Sequence, residues 1–420
     1  MGRNSLKVIS LLIILLGRAS LSSEEFSTVC NTCAFHQIGD ALKAAPSGST
    51  VLIKAGVYKE ALVITKPVKL QAEDGVILDG GGKEQPITIF KSDGVTIRGF
   101  TIQNSGISYT REIAGIRVVE SKDCHLIGNK IIKANYGIYL EKSDGCEIRE
   151  NTLKSVAKDE ASSGNGIHVW TGKNHHISKN TIQGHRDGIY LEFAENNLIT
   201  DNFSSGNLRY GLHFMFSHNS TYRRNYFQRN GSGVAVMYSK HIIMNGNHFV
   251  RNTGPANYGL LLKEITDSDV SRNQFLDNTS AIFMEGTNRV HFEANQFSSN
   301  GWALRIMSDC EDDDFVHNNF VSNTFDAITN SDRSLNNFHE NYWSQYDGYD
   351  LNRDGIGDKP YYPSSLSSII LERVDSSYIL LNSFFLHLMD QVERALPELI
   401  PEKLKDEKPL MKPYEVAARD

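Results

Sequence analysis

No run of basic residues occurs in this 420-residue chain, and 43 Lys and Arg against 50 Asp and Glu leave a formal charge of -7. A mildly acidic chain without a basic stripe offers nothing to hold phosphates, so no nucleic-acid partner is expected. Beyond the first 23 residues, no stretch stays apolar for the roughly 20 residues that a membrane-spanning helix needs. Cysteine is scarce. The five are Cys30, Cys33, Cys124, Cys146 and Cys310, and the odd count leaves at least one thiol free or bonded to another molecule.

What is present begins with an address. Arg3 and Lys7 form a positive start, Val8 to Leu16 are apolar, and Ala19, Ser20, Ser22 and Ser23 are small. Residues 1–23 therefore read as a secretory signal peptide, the apolar run being too short to span a bilayer. Export permits disulfides. The length would suit two or three compact domains, but a repeat array can be one long body.

A repeat organises the chain. A small residue recurs at Gly115, Gly137, Gly166, Gly188, Gly211, Gly233, Gly259, Ala281, Ala303 and Ala327, in steps of 22, 29, 22, 23, 22, 26, 22, 22 and 24. Asparagine runs beside it at Asn129, Asn151, Asn180, Asn202, Asn225, Asn247, Asn273, Asn295, Asn318 and Asn341. A fixed period of this size is the mark of a solenoid. The long steps hold polar insertions near residues 155–164 and 252–258. Asn at the corner is expected because it tolerates left-handed backbone, and stacked Asn side chains can bond along a ladder.

One place after the small residue stand Ile116, Ile138, Ile167, Ile189, Leu212, Val234, Leu260, Ile282, Leu304 and Ile328. Three places after stand Val118, Leu140, Val169, Leu191, Phe214, Val236, Leu262, Met284 and Ile306. Both columns alternate with mixed residues, so each is one face of a strand. Like residues recur one coil apart, so the strands stack in parallel and in register. The expected fold is all-β, a right-handed parallel β-helix of about 22-residue coils with an N-terminal cap and a C-terminal amphipathic helical tail. Ten coils at about 4.8 Å give a rod on the order of 50 Å. Residues 24–114 are assigned to the cap, with a helix in FHQIGDALKAAPSG, and to irregular first coils. The regular β-helix takes 115–345, an Asp/Gly-rich closing loop 346–363, and an amphipathic segment with a Pro-rich tail 364–420.

Chemistry in such a fold sits on outward columns. The column two after the small residue reads Arg117, Tyr139, His168, Tyr190, His213, Ala235, Leu261, Phe283, Arg305. The column four after reads Val119, Glu141, Trp170, Glu192, Met215, Met237, Lys263, Glu285, Met307. Side by side they are expected to form one exposed face carrying His168, His213, Met215 and Met237. Imidazole with thioether is a soft donor set suited to Cu(I). The alternative is a partner-binding patch that includes Trp170, Tyr190, Phe216 and Tyr238, and both can hold together. Phe384 and Phe385 in the C-terminal apolar stretch are further partner-binding candidates.

Cys124 and Cys146 lie five before Asn129 and Asn151, so they stack on successive coils, as a disulfide or as inert thiols. Cys30-Asn-Thr-Cys33 with His36 is either a disulfide stapling the cap or a soft-metal loop. It is not a haem attachment site, because Ala34 follows Cys33. Asp350, Asn352, Asp354 and Asp358, with Gly355, have the spacing of a calcium loop, but Tyr361 stands where a bidentate Glu is needed. The other reading is a set of turn-forming residues.

The Asn-punctuated coils, the run GLHFMFSHNSTYRRNYFQRNGSGVAVMYSKHIIMNGNHF and the ending NYWSQYDGYDLNRDGIGDKPYYP resemble the NosD family. Met237-Tyr238-Ser239 and Met215-Phe216-Ser217 are the more specific parts; the Asn repeat is shared with sugar-binding and sugar-cleaving β-helices. The resemblance implies a periplasmic, non-enzymatic accessory protein of denitrification. It would work with an ABC transporter, its permease and its ATPase, in assembling the copper–sulfur centre of nitrous oxide reductase. It also implies the reductase itself, transient Cu(I) and a membrane-anchored copper chaperone as partners, with the chain held at the membrane through the permease. Residues 364–396 could dock on that permease, and a chain ended after Pro363 is expected to keep its β-helix. The family offers no ligand motif to transfer.

The competing reading is a carbohydrate-active enzyme, a lyase, epimerase or hydrolase acting on uronate polysaccharides. Glu141, Glu192, His185 and Asp187 are the groups available for it. Against it, Glu141 and Glu192 are two coils apart with Trp170 between, and the Asp-Pro-His-Asp signature of alginate epimerases is absent. A plain structural adhesin would have no use for His and Met on one face.

Overall fold

The computed structural model describes residues 26–108, 111–254, 257–331, 335–365, 388 and 404–415. The signal sequence, Phe384 and Phe385 lie outside them, as does most of the segment assigned to docking.

The chain winds a right-handed parallel β-solenoid of about 13 turns. One sheet has 25 strands and the other 13, and the pairing is parallel throughout. A typical turn gives the larger sheet a long strand and a short one, Ile189–Glu195 and Leu198–Thr200, and the smaller sheet Phe203–Ser205. Ile189 pairs with Leu212 on the next turn and Leu191 with Phe214. The two apolar columns through them are fully buried from Ile116 to Leu304. Stacking like on like also aligns rings. Phe249, Phe275, Phe297, Phe320 and Trp343 form one inner stack at centroid spacings of 4.5, 4.9, 4.7 and 4.0 Å. Each such contact adds about 0.5–1.5 kcal/mol beyond area burial.

The small residue is small because the next turn leaves no room. A Cβ on Gly188 would meet the Gly211 carbonyl oxygen and the Ser204 hydroxyl. Ala281 and Ala303 take the same column and are fully buried. The last step differs. Leu304 pairs with Ala327, not Ile328, so Asp326 takes the small-residue place and Ala327 points inward. The expected assignment is one residue late there, and a slip of one exchanges every face. Ile328 joins the outward column of Arg305.

The Asn column is an unbroken buried ladder. Asn202 Nδ2 donates to Asn225 Oδ1 at 2.9 Å, and Asn225 Nδ2 to Asn247 Oδ1 at 3.0 Å. Each Asn Oδ1 also accepts the backbone N–H of the Asn one turn earlier. The left-handed residue is not the Asn but the one before it: Asp201, Arg224 and Gly246 have φ of 57, 54 and 63°. Asn is selected for its inward amide, which satisfies corner amides that no strand reaches. A second ladder runs five residues on, through Asn207, Asn230, Asn252, Asn278, Asn300 and Asn323.

At the N-terminal end the helix is Ile38–Ala44, with Ile38, Ala41 and Leu42 buried. Glu60 caps it, accepting the Ile38 and Gly39 amides at 2.8 Å each. At the other end, residues 404–415 return to the solenoid. Asp406 bridges to Phe338 and to Tyr361, and Leu410 to Tyr342. Asp406 Oδ2 accepts from Asn341 N at 3.2 Å, Asn341 Nδ2 at 3.1 Å and Trp343 Nε1 at 3.0 Å.

Candidate functional site

The outward column through Tyr139, His168, Tyr190 and His213 is a continuous ring stack. Its centroid spacings are 4.7 Å from Tyr139 to His168, 4.7 Å to Tyr190 and 4.5 Å to His213. Residues that open the strands, just before the small residue, cover it. Tyr136 lies 5.9 Å from His168, and Tyr210 lies 4.8 Å from His213. His168 and His213 are consequently only 6% and 5% exposed. The exposed histidine face expected from the sequence is therefore not formed. The column does point away from the core, but a second layer lies over it.

Burial keeps these imidazoles uncharged. It pushes the His168 pKa down to about 3, with Arg186 adding to the effect, and lowers that of His213. Asp187 is fully buried beside them. Burial works against its charge, yet Arg209, donating through Nε and Nη2 at 2.9 and 2.6 Å, holds its pKa down at about 2. His213 Nδ1 is 3.6 Å from Asp187 Oδ2, longer than a hydrogen bond. His185 is buried separately, under the Gly166 turn. Glu141 is bonded to Arg117 at 2.5 Å. Trp170 separates Glu141 from Glu192 in the register. Of the four groups open to a glycan-cleaving role, Glu141 and Asp187 are thus tied to arginines.

Two turns separate His168 from His213, with Tyr190 between, so one ion cannot take both. With Cys30 and Cys33 bonded to each other, no group of three or more His, Cys, Asp or Glu among the described residues converges as a metal site. Sulfur gives the better donors. Met215 and Met237 are register partners on adjacent turns, and both are half-buried. Coil stacking sets their Cα atoms about 4.8 Å apart, so the flexible thioethers can reach one soft ion. Met244, by contrast, is buried in the core.

Beside the methionine pair lies a stack of surface rings. Phe193, Phe216 and Tyr238 are 50%, 39% and 36% exposed. Their centroids are 5.3 and 5.0 Å apart with interplanar angles of 4 and 15°. Each occupies the fifth place after the small residue, where Lys142, Thr171 and Glu264 also have positive φ, so the conformation belongs to the corner and not to the rings. Phe193 is absent from the sequence-based list, although the same five-residue offset points to it. Because the rings cover one another's faces, the stack shows solvent mainly their edges. Trp170 and Tyr190 are half-buried, Trp170 under Lys142 Nζ at 5.5 Å and Tyr190 within the histidine stack.

Cys30 and Cys33 are bonded. Cys124 and Cys146 are buried free thiols, and so is Cys310. In-register stacking holds Cβ atoms about as far apart as the 4.8 Å coil spacing, beyond the roughly 3.5–4.5 Å of a disulfide. The Cys146 thiol is pushed up by its hydrogen bond with Cys124 and by burial. The 350–358 loop has the turn-forming geometry. Asp350 accepts the amides of Arg353, Asp354 and Gly355, Asp354 accepts that of Ile356, and Asp358 that of Leu351. The carboxylates close the turn on itself.

Residues 154–348 match the family model described as "Periplasmic copper-binding protein (NosD)", and residues 28–175 match one described as a right-handed beta helix region. A protein of Pseudomonas aeruginosa named "Probable ABC transporter binding protein NosD" is 29% identical over 382 residues, 86% of this chain and 87% of that one. A protein of the same name from Stutzerimonas stutzeri is 25% identical over 404 residues, covering 89% and 91%. The chain is thus similar to NosD proteins over most of its length. The matching family model is described as periplasmic, the compartment expected from residues 1–23. Among the described residues no helix is long and apolar enough to cross a membrane. Solved structures add only the fold. A family 28 exopolygalacturonase of Yersinia enterocolitica superposes with a TM-score of 0.59 at 11% identity, over 76% of this chain and 78% of the enzyme. The A-module of a mannuronan C-5 epimerase of Azotobacter vinelandii gives 0.53 at 15% identity, over 73% and 94%.

Proposed function

We propose that this protein is a NosD-type periplasmic accessory factor that works with an ABC transporter in assembling the copper–sulfur centre of nitrous oxide reductase. Its working surface is the outward face of residues 192–238. The observation that carries this reading is the in-register pair Met215 and Met237 beside the stack Phe193, Phe216 and Tyr238. Two thioethers suit a soft Cu(I) cargo. Aromatic edges form an apolar ridge of the kind that anchors a protein partner. Sugar binding uses open ring faces, which this stack covers, so a reductase surface fits the ridge better than a glycan does.

His213, two residues before Met215 on the same strand, is a neutral ring packed against Tyr190 and Tyr210. His168 belongs to the same stack. The permease and ATPase of the transporter, a membrane-anchored copper chaperone and the apo-reductase are the partners of this reading. Support for it comes from the family description and from the relatives' name, which states ABC transporter binding.

The test is Cu(I) titration of the mature protein under reducing, anaerobic conditions, with Met215→Leu/Met237→Leu as the comparison. Leucine keeps the volume and removes the sulfur, whereas replacing buried His213 would also disturb packing. Binding lost in the variant supports copper handling at this face. Equal binding in both removes the methionine site and leaves the face to the reductase.

A further inference from the structure

Cys30 and Cys33 form their disulfide at the surface, while the other three cysteines are buried thiols. Both bonded cysteines are half-buried, and Asn31, Thr32, Ala34 and His36 around them are exposed. The loop does not need its sulfur bridge to stay closed. Cys30 N donates to the Phe35 carbonyl at 3.0 Å, Val29 bridges Phe35, and strand Phe26–Val29 pairs in register with Thr50–Ile53. A link between residues three apart also removes less chain entropy than one closing a longer loop. The bridge can therefore open with the cap still folded.

A third donor stands beside it. His36 Nδ1 lies 3.1 Å from the Cys30 carbonyl oxygen. A carbonyl only accepts, so Nδ1 carries the proton and the neutral ring keeps a lone pair on Nε2. An imidazole oriented through a backbone carbonyl is the usual arrangement of a metal-ligating histidine. The Thr32 hydroxyl is 3.5 Å from Cys30 Sγ, placed to donate to a thiolate.

We propose that Cys30, Cys33 and His36 form a redox-gated soft-metal site, closed as a disulfide and, once reduced, open to one Cu(I). This site rests on the copper-handling reading above and gives it a second location, at the N-terminal end of the rod. The gate is thiol–disulfide exchange with a dithiol reductant. A thiolate of the reductant attacks one cysteine sulfur, the S–S bond breaks, and a mixed disulfide forms. The reductant's second thiolate then expels the protein. Two electrons and two protons pass to Cys30 and Cys33, and the reductant leaves as its own disulfide. Cu(I) binding then releases the thiol protons.

The experiment uses the full mature chain without oxygen. The folded protein is treated with dithiothreitol, alkylated and mapped by mass spectrometry, with circular dichroism in parallel. Two labels, on Cys30 and Cys33, with an unchanged strand signal and Cys124, Cys146 and Cys310 unlabelled, are expected. Reduced wild type, Cys30→Ser/Cys33→Ser, His36→Ala and Met215→Leu/Met237→Leu are then compared by Cu(I) competition against a chromophoric chelator. The cysteine variant should take up one Cu(I) fewer, and His36→Ala should bind that ion more weakly. A bridge that resists reduction until the protein unfolds overturns the inference, as does equal uptake by wild type and the cysteine variant. Loss confined to the methionine variant overturns it and leaves the face. Loss confined to the cysteine variant supports it and removes the face. No uptake by wild type ends both.

Discussion

Asp406 stands where the next asparagine of the ladder would be. Its Oδ2 takes the same two hydrogen bonds from Asn341, backbone N–H and side-chain amide, that every earlier Asn takes from its predecessor. It then adds the Trp343 indole at 3.0 Å. A solenoid end exposes unsatisfied corner amides, and a carboxylate from 65 residues away in the sequence closes this one.

Asp406→Ala should destabilise the C-terminal turns by about 3–5 kcal/mol, because it orphans the buried Asn341 N–H and Trp343 indole and takes one acceptor from the Asn341 amide. Asp406→Asn, which restores the ladder's own acceptor, should lose less than half of that. Urea unfolding of both variants checks the order. The expectation that a chain ended after Pro363 keeps its fold changes accordingly. That truncation should unfold at lower urea than wild type, and an unchanged midpoint would show that the cap is dispensable.

Asp326 gives a pH signature. Burial raises its carboxyl pKa to about 7, against hydrogen bonds from Tyr361 and Asn323 that favour the charged form. The unfolded chain releases this proton near pH 4 and the fold releases it near 7, so between those values the fold holds more protons and stability falls as pH rises. Above about pH 7 the penalty is complete. Asp326→Asn keeps the neutral shape, so its stability relative to wild type should grow from pH 4 to pH 7 and then level off. A constant difference across that range would show that Asp326 does not hold its proton.

Phe193→Ala and Phe216→Ala remove exposed ring edges and should change folding stability by no more than about 1 kcal/mol. If the ridge anchors the reductase, the double variant should weaken binding of the apo-reductase by at least about tenfold, as loss of a central aromatic anchor does. Calorimetric titration of the two proteins measures it, and an unchanged Kd removes the ridge from the interface.

Gly188→Ala tests the tight column. The added Cβ has to displace the Gly211 carbonyl or the Ser204 side chain. Overpacking of this kind should lower stability by about 1–3 kcal/mol. Ala303→Gly, where a methyl already fits, should change it by about 1 kcal/mol or less. Thermal unfolding separates the two.

The period carried most of the fold. Ile189, Leu212 and Val234 point inward because alternation within a strand and recurrence one coil apart are both fixed by the backbone. Their common column could be read without coordinates. The same repeat also carries the second ladder at Asn207 and Asn230 and the surface ring at Phe193. Where the repeat was irregular, composition misled. Ala327 looks like the small residue, but Asp326 holds that place, since its carboxyl is accommodated by Tyr361 from the closing loop.

The site was only half legible. Sequence spacing set His213, Met215 and Met237 on outward columns, and the structure keeps them there. Outward is not the same as exposed. Tyr136, Asp187, Arg209 and Tyr210 lie over the histidines, and nothing in the period of the strands says how the residues around each strand's start will fold back on them. A repeat determines whatever depends on one turn meeting the next: the register, the core and the ladders. Burial of the histidines, closure of the rod by Asp406 and the surface position of the Cys30–Cys33 bridge depend on contacts the repeat does not encode, and only the tertiary structure decides them.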